Sequence, residues 1–408
     1  MEIYEHVKEF VDRAEAQLTK EFKRCDDIAL YNQNKVLEAF RKFEVGQRHF
    51  AGTNGYGYDD IGRVTLCKIY ADVFNTEAAI VSPLIVSGTH ALTLALMGVL
   101  RPNDELISIT GAPYDTLMEV IKGENNGSLK DYNVSYKQVN LLNDGCFDFD
   151  GIKKAISDKT KMIFIGRSRG YEWRNAISVK QIKVVVEFIK EINKNIVIMC
   201  DNCYGEFLDY AEPTDVGVDI MAGSLIKNPG GGIVSTGGYI VGKKFLIDLV
   251  GFRLTSPSIG MEVGSYAYGY KDFYQGFFLA PHVVSQAIKG SLLFGKVFEK
   301  LGFETMPKVT SQPNDIIRSI KFKTKDQLIK FCRSIQEISP VDSNLMLEPW
   351  DMPGYEDQVI MAAGSFVAGS SIELSADSPI REPYIAYLQG GLTYEHVKIA
   401  CQYCVQNM

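Results

Sequence analysis

From about residue 78 to residue 242 the chain repeats one pattern, a short apolar run followed by a stretch of helical spacing. The apolar runs are "AAIVSPLIVSG", "DELISIT", "VSYKQVNL", "KMIFIGRS", "NIVIMCDN", "DIMAGSLI" and "GGYIVGK". Between them lie helical stretches such as "THALTLALMGVL", "PYDTLMEVIKG" and "SVKQIKVVVEFIKEIN". Strands that are apolar throughout and alternate with helices form a largely parallel sheet covered on both faces. The expected fold class is therefore α/β. In open sheets of this kind, ligands bind outside the carboxyl ends of the strands. The residues just past the strands are Ser87-Gly88-Thr89, Tyr114, Arg167-Ser168-Arg169, Asp201-Asn202 and Ser224 to Lys227, and these form the expected site.

A chain of 408 residues exceeds what one hydrophobic core usually supports. The expected division is a helical N-terminal segment over 1–50, a large domain over 51–285 and a smaller α+β domain over 286–408. Within the first boundary, "HFAGTNGYGYDDIGR" is rich in Gly, Tyr and Asp and reads as a loop. In the last part, "QAIKGSLLFGKVFEKLG", "KDQLIKFCRSIQEIS" and "TYEHVKIACQYCVQ" read as helices, and "DIIRSIKF", "VIMAAGSF" and "SSIELSAD" as strands.

A net charge of −7 and a pI near 5.5 argue against nucleic acid or an anionic membrane as partner. The N-terminal stretch reads as an amphipathic helix rather than a signal peptide, and no run approaches ~18 consecutive apolar residues. A cytoplasmic location is expected. Two cysteine pairs have CxxC spacing, Cys200 with Cys203 and Cys401 with Cys404. A zinc site shared between them is conceivable, but one pair ends a strand and the other lies on the last helix, so buried reduced thiols are the better reading. The five histidines are dispersed, and no metal site is expected. The glycines at 55, 57 and 62 lack the spacing and the preceding strand of a dinucleotide-binding turn.

The strand-end residues suggest one chemistry when read together. Ser87-Gly88-Thr89 offers hydroxyls and free backbone N–H groups at a helix start, the outline of a phosphate site, although Ser and Thr there also serve as plain caps. Asp201 ends an apolar strand, and a poorly solvated carboxylate wants a cationic partner. Lys227 stands in "GSLIKNPGGG", where burial would lower its pKa and make it a nucleophilic amine. Pyridoxal 5'-phosphate needs these three things: donors for its phosphate, a carboxylate for its pyridine nitrogen and an amine for its aldehyde. The glycines after Lys227 would let the backbone approach the cofactor and let the lysine swing. Tyr114, in "GAPYDT", would stack on the ring, or simply pack at a helix start. Ser224 would add a hydroxyl to the phosphate cradle.

These residues resemble the fold-type I pyridoxal-phosphate enzymes, and within them the cystathionine lyase and methionine γ-lyase group of Cys/Met metabolism. The nearest likeness is to its bacterial "aluminium resistance protein" branch of cystathionine β-lyase type. The stretches that carry it are "GYGYDDIGR", "IVSGTHAL", "GAPYDTL", "CDNCYGEF", "GSLIKNPGGGI" and "GSSIELSADSPIREPYIAYLQGGLTYEH". The resemblance implies that Lys227 is the Schiff-base lysine, that Asp201 pairs with the pyridine nitrogen and that Tyr114 stacks on the ring. It also implies that Ser87, Gly88, Thr89 and Ser224 bind phosphate. Tyr56, Tyr58 and Arg63 would reach the neighbouring subunit's site in a homodimer or homotetramer with shared active sites. Arg381, in "SPIREPY", would grip the substrate carboxylate, with Arg167 and Arg169 as rivals. The sequence departs from the better-known lyases in two places: the Tyr-x-Arg phosphate element is replaced by "YGYDDIGR", and Ile226 precedes the lysine.

The implied reaction is elimination at a C–S bond of an amino-acid substrate, of cystathionine β-lyase or methionine γ-lyase type. Lys227 would remove the α-proton and Tyr114 would assist as an acid. An aminotransferase, a retro-aldol enzyme and a non-catalytic stress protein that kept the fold are the alternatives.

Overall fold

The computed structural model describes residues 2–352 and 356–408. Seven strands form the main sheet: β1 (Ala78–Ser82), β2 (Glu105–Ser108), β3 (Ser135–Gln138), β4 (Thr160–Gly166), β5 (Val197–Asp201), β6 (Ile220–Ser224) and β7 (Gly238–Gly242). Their order is β1-β7-β6-β5-β4-β2-β3. The pairs among β2 to β6 are parallel, and β7 runs antiparallel to both β6 and β1.

Two-sided burial explains the apolar runs. In β5, Val197 and Met199 join one core while Ile198 and Cys200 join the other. In β4, Met162 and Phe164 part from Ile163 and Ile165 in the same way. Successive side chains point to opposite faces, so a strand covered on both sides must be apolar at every position. Each such side chain contributes roughly 1.5–3 kcal/mol when taken out of water. One face is covered by the helix Gly88–Val99, with Leu92, Ala95 and Leu96 inward, and by Leu246, Ile247 and Val250 of the helix Lys244–Leu254. The other carries Val179–Ile192, whose buried Ile182, Val185, Val186 and Ile189 follow the 3.6-residue period behind a Ser178–Gln181 capping box.

A second, wholly antiparallel sheet is built from β8 (Glu304–Met306), β9 (Arg318–Lys321), β10 (Val359–Ala362), β11 (Ser375–Pro379) and β12 (Ile385–Gln389), in the order β10-β11-β12-β9-β8. "SSIELSAD" is thus only half strand. The backbone turns before Ser375, and the Ile372 N–H is spent on the Ile226 carbonyl of the lysine loop at 3.1 Å.

The helix expected from residue 286 begins at Lys271 and runs to Lys300. Gly276 and Pro281 mask its first half in the sequence, but Phe273, Tyr274, Phe277 and Ala280 are buried there. It is long and apolar enough to cross a membrane by length and composition, yet most of it lies in the core. It reaches from the loop after β6 to β8, β9 and β12, and the N-terminal helix Thr19–Lys42 lies along it.

Candidate active site

The carboxyl ends of the parallel strands open into a cleft of about 1040 Å³, whose opposite wall is the small sheet. Lys227, Asp201, Tyr114, Ser87, Gly88, Thr89, Ser224 and Arg381 all line it. Tyr56, Tyr58, Arg63 and Arg167 do not.

Ser87 is the N-cap of Gly88–Val99, and its Oγ accepts from the His90 N–H at 3.1 Å. The plain capping role is therefore filled, and Gly88 and Thr89 of the first turn line the cleft at the positive end of the helix. A Cβ on Gly88 would stand 3.2 Å from Ser224 Cβ and 3.5 Å from Cys203 Sγ. The helix start, the end of β6 and the turn after β5 thus close on one small space that a side chain would invade. Thr89 Oγ1 and Tyr114 Oη are 3.0 Å apart, joining two separate strand ends. His90 turns away and takes the Val86 N–H on Nδ1 at 3.2 Å.

Asp201 ends β5 and accepts the Cys203 N–H on Oδ1 at 3.0 Å. Burial raises its pKa, against the pull of Lys227 and the Cys203 hydrogen bond. Lys227 Nζ lies 3.9 Å from the centre of the Tyr204 ring. Burial acts to lower its pKa, but the acidic groups around it, Cys203, Tyr204, Asp201 and Tyr114, outweigh burial and hold the amine above its usual range. This reverses the depressed amine expected from the sequence: the loop delivers Lys227 beside the Asp201 carboxylate and among acidic side chains, which favour its charged form. Tyr114 is raised by burial and by the Asp201 charge, so its hydroxyl keeps its proton at neutral pH.

The glycines after Lys227 do a different job from the one expected. None of Gly230, Gly231 and Gly232 lines the cleft. A Cβ on Gly230 would fall 1.8 Å from the Leu225 carbonyl oxygen, and one on Gly231 2.3 Å from the Gly276 oxygen. Gly231 and Gly232 also hold φ of +55° and +73°. They let the loop fold flat on the helix Lys271–Lys300, and that support fixes the lysine's backbone.

The arginines separate cleanly. Arg167 is buried behind the cleft, with Nη1 on Asn202 Oδ1 at 2.7 Å and on the Gly205 oxygen at 2.8 Å. Arg169 is locked to Asp315 through Nη2 at 2.9 Å and Nε at 3.2 Å, with Nη1 on the Met306 oxygen. Neither rival keeps a free fork. Among the described residues the Arg381 side chain makes one hydrogen bond, Nη1 to Asp357 Oδ2 at 3.0 Å, and remains half exposed. Arg63 is buried and gives Nη1 to the Gly264 oxygen at 2.6 Å, with Nη2 near the oxygens of Met261 and Glu262. Tyr56 and Tyr58 are exposed at 72% and 62%, their rings against each other on the surface.

Among the cleft residues that escaped the sequence reading are Tyr204, Tyr171, Asp377 and Tyr387. Tyr204 had a signal, since it follows Asp201 by three positions on the same strand end. Its φ is +70°, uncommon for a side chain of this size. Its hydroxyl reaches the Ser370 oxygen at 3.3 Å and receives Gln389 Nε2 at 3.2 Å, tying the lysine floor to the small sheet. The other three come together only through long-range pairing.

Comparison with known proteins bears on this arrangement. The family profile described as methionine gamma-lyase matches residues 7–408. The chain belongs to the methionine gamma-lyase family. The architecture is accordingly that of the fold-type I pyridoxal-phosphate enzymes. Within the family's reach, the uncharacterized protein YnbB of Bacillus subtilis is 51% identical over 407 residues, covering 99% of this chain and 97% of its own. The crystal structure of a carbon–sulfur lyase involved in aluminum resistance from Clostridium novyi is 50% identical, with a TM-score of 0.95, covering 99% of this chain and 96% of that one. A Campylobacter jejuni structure carrying N'-pyridoxyl-lysine-5'-monophosphate is 16% identical with a TM-score of 0.56 over 83% of this chain and 85% of that one, and it shows the shared fold alone.

Proposed function

We propose that the cleft holds pyridoxal 5'-phosphate and that the protein is a carbon–sulfur lyase acting on a sulfur-containing amino acid. One observation carries the reading: a single lysine amine at the strand ends, flanked by the Asp201 carboxylate and the Tyr204 ring. The residues fit the cofactor. Hydroxyls of Ser87, Thr89 and Ser224 and the N–H groups at the helix start suit its phosphate, with Gly88 leaving the room. Asp201 would hold the proton of its ring nitrogen, Tyr114 would lie against its face and Lys227 would bind its aldehyde carbon. Bound there, the cofactor supplies an electron-poor ring that spreads negative charge developing at the substrate α-carbon.

The chain's own groups do the rest. Arg381 orients the substrate carboxylate, since its fork is the least committed in the cleft. Lys227 Nζ, displaced by the substrate's α-amine and then uncharged, takes the α-proton. The C–S bond breaks with its electron pair on sulfur, and Tyr114 Oη, still protonated, supplies the proton that makes the thiol. Water completes the balance, giving ammonia and a keto acid. The family profile and the carbon–sulfur lyase relative support this reaction class. The exposed Tyr56 and Tyr58 are assigned to the cleft of a second copy of this chain, which makes the working unit at least a dimer.

The test is the absorbance of the purified protein with added cofactor, before and after L-cystathionine or L-methionine, together with assays for thiol and keto acid. A yellow protein that releases both products is expected. Lys227→Ala should lose the yellow colour and at least about a thousandfold in turnover. A yellow Lys227→Ala protein with normal turnover would sink the assignment. Mixing it with a Tyr56→Ala/Tyr58→Ala variant should restore part of the activity if the sites are shared.

A further inference from the structure

One buried carboxyl faces the cleft without an ion-pair partner among the described residues. Asp377 lies in the middle of β11, 6% exposed, opposite Met361 of β10 and Tyr387 of β12. It lines the cleft on the small-sheet wall. Its side chain is hydrogen-bonded to Tyr171, whose carbonyl in turn accepts from Tyr387 Oη at 2.6 Å. The arginines lining the same cleft are each paired elsewhere: Arg169 with Asp315, Arg174 with Glu172 and Arg381 with Asp357. Among the described residues, none of the ion pairs involves Asp377.

A buried carboxylate without compensation is costly, and a cation brought in by a ligand would offset that cost. Burial pushes Asp377 up to about 7, against the hydrogen bond from Tyr171 and the charge of Lys227. Cys332 stands behind it on the helix Lys325–Glu337. An amino-acid ligand must bring its α-amine to Lys227, on the main-sheet side. With its α-carboxylate at Arg381, just past the end of β11, the rest of that wall, Asp377 included, is left to meet its side chain. The cleft, at about 1040 Å³, has room for a long one.

We propose that Asp377 is a specificity-determining residue whose carboxylate receives a second, distal ammonium group of the amino-acid ligand. The site would then prefer amino acids with a cationic amine on the side chain over those of equal length with a neutral end. This rests on the reading of the cleft as an amino-acid site.

The experiment is calorimetric binding of L-ornithine and L-norvaline, which differ by that one amine, to the protein supplied with cofactor and freed of excess, near about pH 8 so that the carboxyl is charged. Wild type should bind L-ornithine about tenfold to a hundredfold tighter. Asp377→Asn should bring the two within about twofold while leaving L-norvaline unchanged, and Asp377→Glu should keep part of the preference. Equal binding by wild type overturns the role of Asp377 and leaves the amino-acid site standing, and this needs no variant to fold. A preference that survives in Asp377→Asn overturns it too. Failure of both ligands to bind wild type removes the amino-acid site and this inference together.

Discussion

The Lys227 amine sits over the Tyr204 ring at 3.9 Å, while the Tyr204 hydroxyl is held from the other side by Gln389 and Ser370. One aromatic ring therefore faces a cation from the main sheet and carries hydrogen bonds to the small one. The two functions of the residue separate on substitution. Tyr204→Phe keeps the ring and loses the hydroxyl ties, so we expect a stability loss of about 1–2 kcal/mol with cofactor uptake retained. Tyr204→Ala should lose both, adding the cation–π contact of about 1–2 kcal/mol and impairing uptake. Denaturant melts and absorbance titration with pyridoxal phosphate measure the two effects. Equal behaviour of the two variants would show that the ring is incidental.

Glu206 carries a pH prediction. Its Oε1 accepts from Tyr239 Oη at 2.6 Å, while Oε2 has no hydrogen-bond partner among the described residues. Burial raises its pKa from 4.5 to about 8. Between those values the folded protein holds a proton that the unfolded chain releases. The stability associated with it is complete below the lower value and is lost as pH rises through the upper one. The loss is on the order of a few kcal/mol. Glu206→Gln has no such proton, so its stability relative to wild type should improve steadily from about pH 5 to about pH 9. Chemical unfolding at both ends of the range checks this, and a constant difference would refute it.

Gly231 tests the support under the lysine loop. Alanine there combines a φ of +55° with a Cβ 2.3 Å from the Gly276 oxygen. We expect a loss on the order of 3 kcal/mol and weakened cofactor uptake, because the loop must lift from its helix. Gly127→Ala, at φ +81° with nothing within 4 Å of the new Cβ, should cost only about 1 kcal/mol. Similar losses at both sites would show that backbone conformation alone matters.

The main sheet and the residues at its strand ends were legible because they follow from local rules. Two-sided burial makes the middles of β4, β5 and β6 apolar on both faces, and a parallel sheet places its ligand groups just past them. Lys227, Asp201, Ser87 and Tyr114 accordingly meet in one cleft. The small sheet was less legible. β8 is only three residues long, and β12 is placed by pairing with β9, more than 60 positions earlier, as well as with β11. Asp377 was invisible for that reason, since nothing in "LSADSP" says that a wall lies opposite Lys227. The commitments of Arg167 and Arg169 were equally hidden, because Glu212 and Asp315 lie 45 or more positions further along the chain. The Lys227 charge was misjudged because burial, the local effect, acts in one direction and the surrounding acids, a tertiary effect, act in the other.

The hydrogen bond from the Ile372 amide to the Ile226 carbonyl stitches the residue beside the lysine to the segment that enters β11. A graft of the small sheet from a relative would bring its own version of that stitch, and with it a new seat for the amine. The wall that faces a substrate and the lysine that meets it are therefore joined through the backbone, so that a displacement of one is passed to the other.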